Sequence, residues 1–559
     1  MRKKKEQPII EEVTIADVGA EGKAIARVDG MVVFVPFVVP GDVADIKILK
    51  KKHSYAEGRA VAIRHYSEKR VEPQCPHFGT CGGCRWQNLN YADQLAAKEQ
   101  QVRDNLERLG HIDCSGLRPI CGSEKIFHYR NKLEYTFSTR AWQEEPPFDD
   151  RPALGFHIPT LFDKVLDIER CVLQEDLSNK IRLAVRDYAL EHNLPYYDIR
   201  NHTGCLRNLI IRNTSTGQWM VVLIIAERHE GWEGVMEMLK ERFPEITSLQ
   251  YIVNDKFNDS YTDLPSHTYA GQDFVEEEMA GYNGAEPLHF TIRPQTFYQT
   301  NSPQAQRLYS FVADFAQVGS EDVVYDLYTG TGTIALFLAR MCKRVVGIEY
   351  VEDSIVAAKE NAAHNHIGNT EFYAGDMAKV LTPEFVAEHG RPDVVVTDPP
   401  RAGMHEKVVE QLLAMEPRKI VYVSCNPATQ ARDLAMLAAK YRVARLQPVD
   451  MFPHTQHIET VVLLSQQRPN DKIRVELDLT EFDITAAEKE ATYQEIKDYI
   501  FEKHGMKVSS LYIAQVKEKL GIKERENYNL PKNADSKQPQ CPKEKEKMIV
   551  EALKHFKMI

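Results

Sequence analysis

One cysteine in this sequence stands where a reactive thiol could act on a bound ligand. Cys425 follows the short apolar run Val421-Tyr-Val-Ser424 and precedes Asn426 and Pro427. If the run is a strand of an open α/β sheet, Cys425 lies at its carboxyl end, where such sheets bind ligands. A lone buried cysteine is usually inert packing, but at a ligand crevice its thiol is a strong nucleophile. Cys425 is therefore a candidate nucleophile.

A second set of residues has the types and spacing of a nucleotide-like cofactor site. The segment Asp326-Leu-Tyr-Thr-Gly330-Thr-Gly332 follows an apolar run, and its glycines let the backbone turn tightly and approach a ligand. Glu349 ends the next apolar run, where it can accept hydrogen bonds from ribose hydroxyls, and Asp376 ends the third, where it suits an adenine amino group. This pattern fits both NAD and S-adenosylmethionine.

The segment Asp398-Pro-Pro-Arg401 helps to distinguish between NAD and S-adenosylmethionine as the cofactor. It follows the fourth apolar run, and its prolines predict a rigid turn outside a sheet edge with Asp398 at the lip. Such a turn suits a polar contact to a planar base and has no use in hydride transfer. Together with Cys425, it disfavours an NAD enzyme.

Length and composition limit the class of protein. The chain has 559 residues, 43% of them hydrophobic, with 70 Lys and Arg against 81 Asp and Glu. This length predicts three or four domains at roughly 150 residues each, with cores that a mainly disordered chain lacks. A net charge of -11 argues against a protein that coats nucleic acid by bulk charge, but a local basic surface stays possible.

The sequence also indicates a reducing compartment. No window holds 18 consecutive apolar residues, and the first residues lack the apolar core of a secretory signal, so we expect neither a membrane span nor a leader. The 10 cysteines are scattered and do not resemble a disulfide scaffold. We therefore expect a cytoplasmic protein, in which clustered cysteines indicate metal binding or catalysis.

The first 66 residues predict a small closed barrel of the OB type. Five β-rich runs are separated by tight-turn signals such as Asp29-Gly30. Basic side chains are concentrated at one strand end, namely Lys47, Lys50, Lys51, Lys52 and His53. A solvated loop explains such a run by itself, whereas on a barrel beside an enzyme an RNA-binding surface is the better explanation.

The rest of the chain predicts two further folded regions. Residues 91–109 have helical spacing at Leu95, Val102, Leu106 and Leu109, and Gly110 ends this helix. Residues 120–290 predict a mixed, largely antiparallel region. From residue 320, short buried runs alternate with helical segments, as in a parallel, doubly wound α/β sheet that late strands at 445–450 and 457–464 close.

The polar tail after residue 466 predicts two helices, at 488–503 and 509–520. Gly505 lies between them, and Ser509 or Ser510 is the expected cap. Residues 493–520 have helix-turn-helix proportions. An appended helical module and an accessory RNA or ribosome contact both explain this tail, and the sequence does not choose between them.

The motifs together resemble one enzyme family. Tyr328-Thr-Gly-Thr-Gly, Asp398-Pro-Pro-Arg, Ser424-Cys-Asn-Pro and His457-Ile-Glu-Thr are similar to motifs of the RNA uracil-C5 methyltransferases, as is the segment from Arg293 to Asn301. The N-terminal barrel resembles a TRAM domain. The resemblance covers residues 10–465 and is best to the branch that methylates 23S ribosomal RNA and carries an iron–sulfur cluster.

The resemblance assigns roles to particular residues. Cys425 becomes the nucleophile that attacks uracil C6, Glu459 the base that removes the C5 proton, and Asp398 a contact to uracil N3–H or adjacent cofactor atoms. The residues that match contacts to S-adenosylmethionine are Gln299, Tyr328, Gly330, Gly332, Thr333, Glu349, Asp376 and Asp398. Thr333 replaces the family's usual Asn and Thr329 its frequent Cys, so the contact at 333 is the weaker one.

The same resemblance accounts for four cysteines. Cys75, Cys81, Cys84 and the distant Cys171 look like the branch's [4Fe–4S] ligands, with Gly82 and Gly83 bringing backbone N–H groups near the sulfurs. Spacing alone suits a structural zinc site equally well, and the resemblance favours the cluster.

We expect four domains: a barrel at 1–66, a central iron–sulfur domain at 67–290 whose helix 91–109 packs on the catalytic domain, a methyltransferase domain at 291–465 and a helical extension at 466–559. The expected partner is RNA, without DNA or membrane, and the protein is expected to be a monomer. Residues 128–132 and Arg207-Asn208 resemble RNA-facing positions. Two alternatives stay open: the same reaction on a tRNA uridine, and a non-catalytic iron–sulfur RNA-binding protein.

Overall fold

The fold comes from a computed structural model that describes residues 8–19, 22–146, 148–467, 493–504, 506, 508–519 and 541–555. The chain divides into two compact units after Asn470. Among the described residues, no helix has the length and apolar character needed to cross a membrane.

The N-terminal strands form a closed five-stranded barrel. The strands are β1 (Ile9–Val18), β2 (Ala24–Val28), β3 (Met31–Val35), β4 (Val43–Lys51) and β5 (Tyr55–His65). They follow the order β1-β2-β3-β5-β4, and β4 pairs with β1 to close the barrel. The β2–β3 turn uses Asp29 and Gly30 at φ of 48° and 78°, as a two-residue hairpin turn requires. The predicted barrel is confirmed.

Helix α1 (Tyr91–Gly110) follows the cysteine-rich segment and packs against the catalytic part of the same unit. The side chain of Asn90 caps it by accepting a hydrogen bond from the Asp93 N–H at 3.0 Å. Of the apolar residues whose spacing predicted the helix, Val102 and Leu106 are buried, whereas Leu109 is 56% exposed. The buried positions recur at every fourth residue, at Gln94, Lys98, Val102, Leu106 and Gly110. Apolar spacing alone therefore does not reveal this face, because two of its residues are polar.

The central region is a seven-stranded sheet in the order β12-β11-β10-β9-β6-β7-β8. Its strands are β6 (Lys132–Ser138), β7 (Ala153–His157), β8 (Val165–Asp167), β9 (Leu206–Asn213), β10 (Trp219–Ile225), β11 (Ile246–Val253) and β12 (Ser266–Gly271). Helices α2 (Asp176–Glu191) and α3 (Trp232–Arg242) pack on one face. The other face joins the core of the catalytic region, beside the hairpin of β13 (Val275–Met279) and β14 (Leu288–Ile292). Only β10 and β11 pair in parallel among these strands, so the predicted antiparallel character is confirmed.

The catalytic region is a doubly wound sheet in the order β17-β16-β15-β18-β19-β21-β20. Its strands are β15 (Val323–Leu327), β16 (Arg344–Glu349), β17 (Thr370–Ala374), β18 (Val394–Thr397), β19 (Lys419–Ser424), β20 (Tyr441–Val449) and β21 (Glu459–Gln466). Its helices are α4 (Ser302–Ala316), α5 (Thr333–Ala339), α6 (Glu352–His364), α7 (Met377–Val380), α8 (Pro383–His389), α9 (Glu406–Met415) and α10 (Pro427–Leu437). Strands β15 to β19 run parallel, whereas β21 lies antiparallel between β19 and β20. The last strand of the described residues, β21, therefore lies beside the strand that precedes Cys425.

The second unit contains helices α11 (Tyr493–His504), α12 (Ser510–Lys519) and α13 (Lys543–His555), which bury a small core of their own. Ser509 caps α12 through the Tyr512 N–H at 3.4 Å. Residues 488–492 and 520 of the two predicted helices lie outside the described residues. The prediction of two helices was incomplete, because it missed α13 in a stretch dominated by lysine and glutamate.

Candidate active site

The register of two strands brings Cys425 and Glu459 together. Ser424 at the end of β19 pairs with Thr460 in β21, and these strands are antiparallel. Glu459 is the next residue on β21, and Cys425 directly follows the end of β19. The charge of Glu459 acts on the Cys425 thiol, so the two side chains lie close together. The thiol is half-buried and Glu459 is buried. A thiol and a carboxylate thus share the carboxyl edge of the sheet.

Two further charged groups surround this pair. Asp398 follows β18, and burial raises its pKa to about 7. Burial, reinforced by the charge of Asp398, raises the pKa of Glu459 well above its usual range, while Arg401 lowers it. Burial and the two carboxylates raise the pKa of Cys425 to about 11, again against Arg401. The arrangement favours neutral Glu459 and Cys425 at rest, and Arg401 is the cation that favours their charged forms.

The glycine-rich crevice lies at the same edge, after β15. Tyr328, Gly330 and Gly332 all have left-handed backbone, with φ of 63°, 55° and 80°. The Glu349 carboxylate at the end of β16 accepts the Gly330 N–H at 3.2 Å and the Val351 N–H at 3.0 Å. Glu349 therefore fixes the shape of the crevice that it borders.

The loop before α4 and the start of α5 form another side of the crevice. The Gln299 side chain hydrogen-bonds to Tyr309, whose hydroxyl lies 3.3 Å from Thr333 Oγ1. The charges of Asp398 and Asp326 help to raise the pKa of the Tyr309 hydroxyl. This side of the crevice is therefore continuous with the surroundings of the thiol.

Asp376 is engaged locally at the end of β17. Its carboxylate caps α7 by accepting the Ala378 N–H at 3.1 Å and lies 3.5 Å from Lys379 Nζ. The cap holds the carboxylate at the rim of the crevice, where it keeps further acceptor capacity because each carboxylate oxygen accepts more than one hydrogen bond.

The structure brings three further residues into this site, to which sequence analysis assigned no role. Asp326 is 1% exposed, and burial raises its pKa to about 7 even though Thr329 Oγ1 donates a hydrogen bond to it at 2.6 Å. Asp326 belongs to the glycine-rich segment 326–332 and Arg401 to the segment 398–401, so the sequence motifs could have pointed to both. Tyr309 had no such signal, because it lies on a helix face that looks like ordinary core.

The four predicted metal-ligating cysteines line one cavity of about 720 Å³. None forms a disulfide. Burial raises the pKa of Cys81 to about 11, and nearby Cys171 and Cys75 add to this increase. Among the described residues, however, no group of three or more His, Cys, Asp or Glu side chains is close enough to hold a single metal ion.

Each of the four sulfurs in this cavity has an N–H neighbour. Gln87 Nε2 donates a hydrogen bond to Cys84 Sγ at 3.1 Å. The backbone N–H of Gly83 donates to the sulfur of Cys81, and that of Leu173 to the sulfur of Cys171. Cys75 receives the N–H groups of His77 and Phe78. N–H donors to sulfur are typical of iron–sulfur sites. Gly82 has φ of 78° and a Cβ there would lie 2.3 Å from Pro159, so only glycine fits this turn.

The predicted RNA-facing residues divide into two groups. Arg130 and Lys132 line the cysteine cavity, with burial lowering the pKa of Lys132 to about 8. The prediction is wrong for Arg207, which is 2% exposed and donates to the carbonyl oxygens of Asn254, Lys256 and Asn258. Its guanidinium fixes a loop, because a buried charge needs such partners.

The basic end of the barrel is open to solvent. Lys50, Lys51, Lys52 and His53 are all exposed at the end of β4 and in the turn after it. Lys52 Nζ lies 5.1 Å from the ring centre of Tyr55. This end therefore offers both positive charge and an aromatic ring.

Comparison with known proteins agrees with this geometry. The family model described as tRNA (uracil-5-)-methyltransferase matches residues 266–467, and the TRAM domain model matches residues 10–61. A relative from Bacteroides thetaiotaomicron, named as an uncharacterized RNA methyltransferase, is 54% identical over 455 residues, covering 80% of this chain and 99% of the relative. A relative of the same description from Porphyromonas gingivalis is 50% identical over 468 residues, covering 80% and 98%.

A solved structure extends the likeness to three dimensions. The tRNA (uracil-54, C5)-methyltransferase of Pyrococcus abyssi, in complex with S-adenosyl-L-homocysteine, has a TM-score of 0.63 and 27% identity, covering 81% of this chain and all of that one. Together with these relatives, the doubly wound sheet and its glycine-rich crevice define a cofactor-dependent methyltransferase acting on RNA. The chain belongs to the S-adenosylmethionine-dependent RNA uracil-5 methyltransferase family and carries an N-terminal TRAM domain.

Proposed function

We propose that this protein methylates C5 of a uridine in 23S ribosomal RNA through a transient covalent bond between Cys425 and the base. The observation that carries the proposal is the proximity of Cys425 to Glu459, at the ends of two paired strands beside the glycine-rich crevice. Uracil C5 is too weakly nucleophilic to attack a methyl sulfonium unaided. A thiol and a base are the two groups that overcome this difficulty.

In the proposed mechanism, the Cys425 thiolate adds to C6, and the electron pair of the C5=C6 bond moves to C5. Arg401 favours the thiolate, since its charge opposes the burial that raises the pKa of Cys425. When bound, S-adenosylmethionine would supply an electrophilic methyl group to that C5 pair, and the electrons of its sulfur–methyl bond would leave with the sulfur. Glu459 then takes the C5 proton, the C5=C6 bond re-forms from the pair left behind, and the Sγ–C6 bond breaks to release the thiolate. Asp398 orients the uracil through N3–H.

The cofactor residues of the proposal are those of the crevice. Glu349 and Asp376 accept hydrogen bonds from the ribose and adenine, and Tyr328 with the two glycines forms the floor. Gln299 and Thr333 close the other side; their contacts to Tyr309 support this role. Thr333 has a hydroxyl where the family usually has an amide, so its contribution is the smallest.

The ribosomal target rests on the resemblance of the cysteine set, whereas the Pyrococcus abyssi neighbour is named for a tRNA uracil. Mass mapping of 5-methyluridine in rRNA and tRNA, from cells with and without the gene, distinguishes the two. We expect 5-methyluridine to disappear from 23S rRNA and to persist in tRNA. Loss confined to tRNA would favour the alternative target. Unchanged 5-methyluridine in both would favour a non-catalytic RNA-binding protein.

We further propose that Cys75, Cys81, Cys84 and Cys171 hold a [4Fe–4S] cluster with a structural role. Their shared cavity and the N–H donor beside each sulfur support this assignment. A cluster binds each cysteine at a different iron, so it suits thiols that surround a cavity. A single zinc ion needs all four sulfurs about 2.3 Å from one point. Methyl transfer needs no electron, which favours a structural role.

Metal analysis of anaerobically purified protein tests the cluster. We expect brown protein with about four irons per chain. Cys171→Ser should lose iron and weaken RNA binding more than S-adenosylmethionine binding, while Cys205→Ser, at a buried cysteine outside the cavity, should keep its iron. Stoichiometric zinc without iron would contradict the cluster, and full RNA affinity in the iron-free variant would contradict its structural role.

The remaining assignments stay predictions. We propose that regions 1–66, 67–290, 291–465 and 466–559 act as RNA-binding barrel, iron–sulfur domain, methyltransferase domain and helical extension. The family models support the first and third, although the methyltransferase model begins at residue 266, upstream of the predicted boundary. The monomeric state is a further prediction.

A further inference from the structure

The connection between β20 and β21 is unusually buried for a loop. It runs from 450 to 458, and all of its residues are buried except Phe452, Gln456 and His457, which are partly exposed. Loops normally lie at the surface, because their backbone polar groups need water or fixed partners. This loop leads directly into Glu459, so its partners determine where that carboxylate lies.

Helix α1 supplies a buried charge to the start of this loop. Lys98 Nζ lies 2.6 Å from Asp450 Oδ1 and donates a second hydrogen bond to the Phe452 carbonyl oxygen at 3.0 Å. The Tyr91 hydroxyl donates to Asp450 Oδ2 at 2.9 Å. Both side chains of the ion pair are fully buried. Burial lowers the pKa of Lys98, and the charge of Asp450 opposes this effect.

The middle of the loop is held by the chain around α1. The His454 N–H donates to Gln94 Oε1 at 2.9 Å, and the His454 carbonyl oxygen accepts the N–H groups of Arg85 and Trp86 at 2.8 and 3.1 Å. Arg85 directly follows Cys84. The loop is therefore fixed by elements that lie outside the methyltransferase motifs.

The position of Glu459 depends on the residues at the base of the loop. Val449 and Glu459 are paired residues of β20 and β21, and Asp450 is the next residue after Val449. A shift of Asp450 therefore moves the backbone opposite Glu459. A buried carboxylate that loses its ion-pair partner must move or take up water, because an unpaired charge is costly in a protein interior.

We propose that the buried Lys98–Asp450 ion pair positions Glu459 for removal of the C5 proton. The inference rests on the proposed function, since it deepens the role of Glu459 in that reaction. Lys98 is a positioning residue, because it acts through Asp450 and the loop. Proton transfer is sensitive to displacements of about 1 Å, which cost about 100-fold in rate.

Lys98→Met tests the proposal in single-turnover reactions with uridine-containing RNA. The cysteine and the cofactor crevice are unchanged, so we expect the protein–RNA adduct to form and then to decay about 100-fold more slowly than in the wild type. Denaturing gels measure the adduct, and calorimetry should give an S-adenosylmethionine affinity within about twofold of wild type. The control is Lys69→Met, which removes the exposed ion pair of Lys69 with Asp93 on the first turn of the same helix.

Tyr91→Phe is a second, milder variant if Lys98→Met does not fold. It removes one hydrogen bond to Asp450, and we expect adduct decay to slow about tenfold. Normal adduct decay in the folded variants would overturn the positioning role, as would a loss of cofactor affinity equal to the loss of rate. If the wild type and the control form no adduct at all, the proposed covalent mechanism fails instead.

Discussion

At the scale of single residues, the site combines one thiol with buried carboxylates, and burial raises the pKa of each of these carboxylates. Asp398 and Asp326 both have a pKa of about 7, and the pKa of Glu459 is raised further by the charge of Asp398. A base of raised pKa is better matched to proton abstraction near neutral pH than an ordinary carboxylate. Burial therefore suits Glu459 to its proposed role.

Glu459→Gln should separate the two halves of the reaction. The amide cannot take the C5 proton, so methyl transfer proceeds and the covalent intermediate accumulates. Release of methylated RNA should fall by a factor of about 100 to 10,000. Rapid-quench assays that compare adduct with free product measure this effect, with Glu416→Gln, at the partly exposed residue that follows α9, as a control. Product release at the wild-type rate would mean that another group removes the proton.

Asp326→Asn should change how stability depends on pH. The folded-state pKa of Asp326 is about 7 against an unfolded value near 3.8, so the folded protein binds the proton more tightly. Its contribution is complete below pH 3.8 and is lost as the pH rises through 7. The wild type should therefore lose more stability between pH 5 and pH 7.5 than the variant does. Thermal unfolding without cofactor measures the difference, and equal slopes for both proteins would contradict the assignment.

Sequence reasoning could place candidate site residues at strand ends. Cys425 and the glycines follow apolar runs, so a strand edge could be inferred for each, and the structure has them there. The proximity of Cys425 and Glu459 depends on β21 lying between β19 and β20, which no local pattern reveals. Arg207 shows the converse, because a charged residue type does not reveal that a loop buries it.

At the scale of elements, tight turns after parallel strands shape the cofactor site. Gly332 starts α5 with φ of 80°, and a Cβ there would lie 3.1 Å from both Ala358 and Phe372. The positive φ strains any residue with a side chain at this position, and the tight contacts force its neighbours to shift.

Gly332→Ala should therefore weaken S-adenosylmethionine binding by at least about tenfold, because strain of 1–3 kcal/mol displaces the turn. Isothermal calorimetry measures the affinity. Gly368→Ala is the matched control in the same region, since a Cβ there meets no atom within 4 Å. Equal affinities of the two variants would contradict the proposal that Gly332 helps to form the floor of the cofactor crevice.

Elements with clear apolar periodicity were predicted well. The barrel strands and the alternating strands of the catalytic sheet fall close to their expected positions. The buried face of α1 was not predicted. Its residues Gln94 and Lys98 have partners in the distant loop at 450–458, and long-range hydrogen bonds have no local sequence signal. Helix α13 was missed because charged residues dominate its sequence.

At the scale of the whole molecule, the chain is acidic but carries local positive charge at one end of the barrel. The exposed lysines at the end of β4 would contact RNA phosphates, whose neutralisation makes binding depend on salt. The net charge of -11 over the whole chain suppresses indiscriminate binding.

The double variant Lys50→Gln and Lys51→Gln should bind RNA more weakly and with less salt dependence. Each lost phosphate contact reduces the slope of log K against log salt by roughly 0.7 to 0.9. Filter binding across a salt series measures the slope. Lys180→Gln with Lys240→Gln, on helices α2 and α3, is the control of equal charge. Equal slopes for the two double variants would exclude the barrel end from the RNA surface.

The most direct test of the covalent mechanism uses RNA that carries 5-fluorouridine at the target position. Fluorine cannot leave C5 as a proton, so wild-type protein with S-adenosylmethionine should remain bonded to the RNA through the Cys425 peptide, as measured by intact and peptide mass spectrometry. Cys425→Ala should form no adduct while its cofactor affinity stays within about twofold of wild type, and Cys342→Ala, a buried cysteine outside the site, should form the adduct normally. An adduct in Cys425→Ala, or none in wild-type protein that methylates ordinary uridine, would contradict the account.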